Sequence, residues 1–288
     1  SRFSGSWVGF KCQTDIIEST GSVDVDPASP AIVLPPFERP PGGLGIRWPD
    51  GAQPMERRLL GPKLDAVRVF ARANGLNPVT GARDGARIGI VASGKAWLDL
   101  RGALALLGLD EERAAALGLR FLKLGLVWPL DPETIAGFAQ GLETVLVVEE
   151  KRPVIETELK ALLYNAPEGR RPRVVGKEDP DGRPLLPAWG EIGPAMVARA
   201  LASLLPAGVV PQERAQAIAH RSLPEAASLQ REPYFCAGCP HSVSTRLPEG
   251  SRASTGIGCH MMVVGLPERA TATFTQMGGE GVAWTGMA

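Results

Sequence analysis

From Arg87 to Gly176 the chain alternates short apolar runs with helical periods, and this alternation restricts the fold more than any other feature. Arg87-Ile88-Gly89-Ile90-Val91-Ala92 reads as a buried strand, Trp97 to Leu107 as a helix closed by Gly108, and Leu119 to Leu126 as a second strand. Asp131-Pro132-Glu133 opens a helix that runs to Gly141, with Asp as its cap and Pro at its first position. Val145 to Val148 is a third strand. Pro153 to Tyr164 follows as an amphipathic helix with Ile155, Leu159, Leu162 and Leu163 on one face, and Arg173 to Gly176 is a short fourth strand. Uninterrupted apolar strands separated by helices predict an α/β fold: a parallel, doubly wound sheet of about four strands, covered on both faces and joined by right-handed crossovers.

The flanks read differently. Residues 1–84 concentrate Pro27, Pro30, Pro35, Pro36, Pro40, Pro41, Pro49 and Pro54, together with Gly42, Gly43, Gly45 and Gly51. Proline fixes φ and removes a donor, so neither a helix nor a central strand is expected through that stretch. Lys63 to Ala73 is the first clear helix, with Leu64, Val67, Phe70 and Ala71 at helical spacing and Asn74-Gly75 as its stop. Residues 177–232 read as a linker with one helix, Pro194 to Leu205, and an exposed charged loop from Lys177 to Pro184; a further unit starts at residue 233.

Lys plus Arg and Asp plus Glu are both 31, which removes any general electrostatic reason to bind nucleic acid or an anionic membrane. No run approaches the roughly 20 apolar residues of a membrane span. The chain opens with neither an initiator Met nor a secretory signal and stops inside a glycine-rich pattern, so it is expected to be a piece of a longer protein. Four cysteines are too few for a secreted disulfide scaffold of this size, which points to the cytoplasm.

The sharpest chemical signal is Cys236-Ala237-Gly238-Cys239-Pro240-His241, followed by Gly256-Ile257-Gly258-Cys259-His260. Two cysteines two residues apart share a tight turn and can aim both sulfurs at one centre. Three readings compete: a zinc site with His241 as fourth ligand, an iron–sulfur cluster with three of its four thiolates, and a thiol–disulfide pair. His220 reads as an exposed histidine. Gly89 to Ala96 nearly matches a phosphate-binding loop, but Ala96 has no hydroxyl for magnesium and Gly89 lies within the strand, so it reads as an ordinary strand-to-helix turn. Glu149-Glu150-Lys151-Arg152-Pro153 falls at the carboxyl end of a strand, where open parallel sheets place functional residues; a charged turn is the plainer reading. Gly278-Gly279-Glu280-Gly281 could let backbone approach a diphosphate.

Taken in order, Trp7 to Cys12, Gly89 to Ala96, Lys123 to Leu130, Val147 to Glu156 and Cys236 to Ser242 resemble the 2-oxoacid:ferredoxin oxidoreductases. Within that family the resemblance, which runs over nearly the whole chain, is to the indolepyruvate ferredoxin oxidoreductases in their long single-chain bacterial form. It implies a thiamine-diphosphate-dependent oxidative decarboxylation of aryl pyruvates to acyl-coenzyme A, with Mg2+ and a [4Fe-4S] cluster as further cofactors and ferredoxin as electron acceptor. Residues 1–84 then resemble the C-terminal tail of a pyrimidine-binding domain and 85–176 a transketolase C-terminal-like domain. Residues 177–232 form the linker, and 233–288 the start of a diphosphate-binding domain. Cys236, Cys239 and Cys259 match cluster ligands, with the fourth ligand and the magnesium motif expected beyond Ala288. Gly278, Gly279 and Gly281 would lie near the thiamine diphosphate, and His241 is the candidate catalytic residue. The full-length protein is expected to be a cytoplasmic homo-oligomer and this piece alone inactive. The alternative from another class is a non-catalytic zinc-stabilised assembly module.

Overall fold

The computed structural model describes residues 1–23, 25–26, 32–48, 50–167, 171–220 and 234–287. It divides into two compact units, Ser1–Leu223 and Pro224–Ala288.

In the first unit α1 (Thr14–Ile17) is a single turn in extended chain. The next two helices, α2 (Ala52–Arg58) and α3 (Leu64–Ala73), are joined by a π-turn over Leu59–Lys63. Thus α2 begins inside the stretch whose prolines argue against any helix. Pro54 sits in the first turn, where a helix has no use for its N–H.

The alternating region comprises β1 (Val79–Gly81), β2 (Ile88–Ser93), α4 (Gly94–Leu107), α5 (Glu111–Ala116), β3 (Leu119–Leu124), α6 (Pro132–Ala139), β4 (Thr144–Val148), α7 (Val154–Leu163) and β5 (Arg173–Val175). After it come α8 (Pro194–Ala202) and α9 (Gln212–Ala219). The sheet order is β1-β3-β2-β4-β5. The four expected strands are all parallel, with Ile90 paired to Phe121 on one side and Leu146 on the other. A fifth strand, β1, pairs antiparallel with β3 at the edge. Its three residues are all exposed and carry no apolar run, so the sequence gives no signal for it. Likewise the expected linker holds two helices rather than one, because α9 buries only Ile218 and has no apolar stripe to read.

Side-chain alternation sends each strand's residues to two separate cores. Ile90, Ala92, Leu119, Phe121, Leu146 and Val148 pack with Leu100, Ala103 and Leu107 of α4 and Val197 and Leu201 of α8. On the other face Val91, Leu122, Leu124, Val145 and Val147 pack with Ile135 and Phe138 of α6 and Leu159 of α7. This is the doubly wound arrangement. Gly89 is required by it: a Cβ there would stand 2.5 Å from Leu142 Cδ1 and 2.7 Å from Phe138 Cζ. Helix ends follow the expected caps. The Asp131 carboxylate accepts from the Thr134 N–H at 3.0 Å and pairs with Arg72, and Gly108 closes α4 at φ +70°.

At the amino edge of the sheet, Arg120 is nine-tenths buried and donates only to backbone carbonyls among the described residues: Ala82, Arg83, Phe138 and Gln140. It fastens the β1–β2 loop to the end of α6. A cavity of about 960 Å³ lined by Arg120, Arg83, Asp84, Glu133 and Phe138 opens beside it.

The second unit contains α10 (His241–Ser244), β6 (Ala253–Thr255), a 3-10 helix over Cys259–Gly265, β7 (Thr271–Phe274) and α11 (Val282–Met287), with β6 and β7 parallel. Among the described residues no helix is long and apolar enough to cross a membrane.

Candidate functional site

Cys236 and Cys239 lie on one tight turn. The Cys239 N–H donates to the Cys236 carbonyl at 3.0 Å, and Gly238 between them takes φ +76°, a conformation that costs glycine little. Gly258, at φ +87°, turns the chain into the 3-10 helix that Cys259 begins. A stack of three rings joins the two places. His241 lies between Phe235, with centroids 5.4 Å apart and planes at 18°, and His260, at 5.7 Å and 22°. The stack sets the Cys236–Cys239 turn beside the Cys259–His260 corner. Cys239 is half-buried with Sγ 3.2 Å from His241 Nδ1, while Cys236 and Cys259 are exposed. The Gly256 N–H donates to His260 Nδ1 at 3.3 Å.

Three thiols on adjoining turns are the soft donors that an iron–sulfur cluster takes, so in donor chemistry the set fits one. No three His, Cys, Asp or Glu side chains among the described residues are gathered to hold a metal ion, so neither the three thiols nor a Cys₃His zinc shell is assembled there.

The glycine run forms two linked turns ahead of α11. Gly278 and Gly281 take φ +84° and +81°, and the Gly279 N–H donates to the Gln276 carbonyl at 2.9 Å. The Gly278 N–H donates to the Glu280 carboxylate at 2.7 Å, so an anion reaching that amide must displace Glu280.

The carboxyl edge of the first unit's sheet gathers charge. The sheet winds one way from β2 to β3 and the other way on to β4, so its order switches between β2 and β4, and in doubly wound sheets ligands sit in the crevice at that point. Here side chains fill it. The Lys95 ammonium donates to Glu150 Oε1 and Asp99 Oδ2, both at 3.1 Å, and to the Ile192 carbonyl at 2.8 Å. Glu150 also accepts from the Ile192 N–H at 3.2 Å and from Gln13 Nε2 at 3.3 Å. The near-match to a phosphate loop is therefore a turn whose lysine is committed to carboxylates. Burial pulls the Lys95 pKa down, but its bonds to Asp99 and Glu150 outweigh that and raise it.

Glu149 is buried and caps α7, accepting from the N–H groups of Val154, Ile155 and Glu156 at 2.9–3.1 Å. Lys177 donates to the carbonyls of Glu149 and Pro187. Its pKa is lowered because burial outweighs the attraction of Glu149, Glu156 and Glu150. The run from Glu149 to Pro153 is thus a charged turn and helix start. His220 is exposed at the end of α9. Sequence reasoning missed Asp99, Gln13 and Ile192, set Lys95 in an ordinary turn, and read Lys177 as the start of an exposed loop, whereas its ammonium is half-buried on two backbone carbonyls. Only the Lys95–Asp99 spacing of four could have flagged any of them.

A family model described as the indolepyruvate oxidoreductase domain matches residues 78–228, just over half of the chain. The chain belongs to the indolepyruvate oxidoreductase family. The matched residues of this family member hold all five strands and both cores of the first unit. Curated relatives include three proteins named indolepyruvate oxidoreductase subunit IorA. That of Methanothermobacter marburgensis is 33% identical over 80% of this chain and 35% of its own length. Those of Thermococcus kodakarensis and Pyrococcus abyssi are 29% and 31% identical over 75% and 72% of this chain, and 32% and 30% of their own lengths. The chain therefore spans about a third of the relatives it matches. Among solved structures, a 2-oxoglutarate:ferredoxin oxidoreductase from Magnetococcus marinus, with 2-oxoglutarate, coenzyme A and succinyl-CoA bound, aligns at TM-score 0.36. The identity is 18% over 62% of this chain and 27% of that one. A split-gene transketolase aligns at 0.29, with 21% identity over 43% and 40%.

Proposed function

We propose that the protein containing this chain is a 2-oxoacid oxidoreductase that decarboxylates an aryl pyruvate such as indolepyruvate. The acyl group goes to coenzyme A, and two electrons go through a [4Fe-4S] cluster to ferredoxin. The observation that carries this reading is the family match over residues 78–228. Thiamine diphosphate, held with Mg2+, supplies the electron sink that such a decarboxylation needs.

This chain's own part follows from its two units. In the first, Lys95, Glu150 and Ile192 close the crevice where a ligand would sit, which supports an architectural role for residues 85–176 as a transketolase C-terminal-like domain. Residues 1–84 are the tail of the pyrimidine-binding domain, 177–232 the linker, and 233–288 the start of the diphosphate-binding domain. In that last part Cys236, Cys239 and Cys259 supply three cluster ligands. Gly278, Gly279 and Gly281 bring backbone near the cofactor once Glu280 is displaced. The complete protein works as a cytoplasmic homo-oligomer.

The test uses the full-length protein purified without oxygen. Indolepyruvate-dependent, coenzyme A-dependent reduction of ferredoxin is expected, together with iron and acid-labile sulfide. Zinc without sulfide and no turnover would overturn the reading and favour a zinc-stabilised assembly module.

A further inference from the structure

The geometry points to a second site in the first unit, where β1, α4 and α5 meet: a pocket for a free α-amino acid with a large apolar side chain. The inference goes beyond the 2-oxoacid reading and does not depend on it.

The pocket exists because small residues stand where the three elements converge. Thr80 and Gly81 of β1 and Ala114 of α5 line the junction without filling it, and a cavity of about 550 Å³ remains. Gly81 cannot be enlarged to close it, since at φ +85° its Cβ would stand 2.5 Å from the Leu119 carbonyl oxygen. The volume falls within the roughly 300–1,000 Å³ of small-molecule sites. Its walls are apolar. Trp97 meets Phe121 edge-on with ring centroids 6.5 Å apart, and Leu104 and Leu109 join them. Such walls suit an aromatic or branched side chain.

Three charged residues line the same pocket, and they carry both signs. Arg101 of α4 donates from Nη1 to Glu111 of α5 at 3.0 Å, and each is the other's only partner among the described residues. Their side chains are 56% and 85% exposed, so the pair stands in water and takes little to open. Asp110 is already engaged as the cap of α5, accepting the Arg113 N–H at 2.8 Å.

This charge pattern selects the ligand's head. A lone carboxylate seated at Arg101 would face Glu111 and Asp110, and a lone amine would face Arg101. A zwitterion satisfies both, its carboxylate on the guanidinium fork and its ammonium on Glu111. One solvated ion pair is thereby exchanged for two, beside walls that receive the side chain.

Equilibrium dialysis of the full-length protein against radiolabelled L-phenylalanine and L-tryptophan tests this. Saturable binding is expected. As competitors, 3-phenylpropionate lacks the ammonium and phenethylamine lacks the carboxylate, so each should be weaker by about tenfold, the loss of one charge-assisted bond. Glycine, with the same head and no side chain, should not compete. Arg101→Gln and Glu111→Gln should each weaken the amino acid by about the same factor. Both residues are exposed, so the variants should keep the wild-type circular dichroism and Tm. Absence of saturable binding overturns the inference. Undiminished binding in either Gln variant also overturns it, because the amino acid then sits elsewhere. Phenylpropionate as tight as phenylalanine would replace it with a simple carboxylate site. Failure of indolepyruvate-dependent ferredoxin reduction is a separate result, which would sink the 2-oxoacid reading and leave this pocket standing.

Discussion

Lys95 and Glu150 meet 3.1 Å apart at the carboxyl edge of the sheet, although 55 residues separate them in the chain. Their side chains are only 16% and 11% exposed, so the pair is largely out of water. Removing one partner strands the other's charge, and Glu150 also holds Ile192 and Gln13.

Lys95→Ala should therefore cost about 3 kcal/mol, and Lys95→Met combined with Glu150→Leu less than that. Denaturant midpoints at pH 7 measure both. Because the folded pKa of Lys95 is raised, its stabilisation is complete below the ordinary lysine value of 10.5 and is lost as pH rises through the folded value. A Lys95→Ala chain whose midpoint equals the wild type's at pH 7 would refute the pair's contribution.

Lys177 behaves oppositely on the same edge. Its lowered pKa means that the ionised form opposes folding, a penalty present below the folded value and relieved as pH rises toward 10.5. Lys177 should then acylate faster than Lys95 with an amine reagent at about pH 8, read by peptide mass spectrometry. The reverse order of labelling would contradict the assignment.

Glu149→Ala removes the acceptor for three N–H groups of α7 and should destabilise by about 2 kcal/mol. Amide exchange at Val154, Ile155 and Glu156 should quicken in step. Glu149→Gln keeps one acceptor oxygen and should lose less. Unchanged exchange at those three amides in the Ala variant would show that the cap is dispensable.

Two glycines should respond with opposite signs. Gly89→Ala drives a methyl into Phe138 and Leu142 and should cost about 1–3 kcal/mol. Gly137, in α6, has nothing within 4 Å of its Cβ position, so Gly137→Ala should stabilise by about 0.5–1 kcal/mol. Thermal unfolding of both variants reads the contrast, and equal shifts would undo it.

How much was legible follows the range of the forces involved. Strands β2 to β5 appear within a residue or two of their expected places because each is an apolar run bounded by polar turns. Asp131 and Gly108 are readable as caps since a cap acts on the turn beside it. Strand β1 was not legible. Its Val-Thr-Gly is held at the edge by the backbone of β3, and edge pairing asks little of side chains.

The sequence by itself determined the parallel doubly wound sheet, its two cores and the cysteine turn, because these rest on periodicity, short-range capping and the turn around Gly238. The tertiary structure alone decided that Lys95 fills the switch-point crevice with Glu150, and that His241 is clamped between Phe235 and His260 against the Cys239 sulfur. Charge pairing and ring stacking act over a few ångströms. Which residues come that close depends on crossovers and turns that no local pattern records.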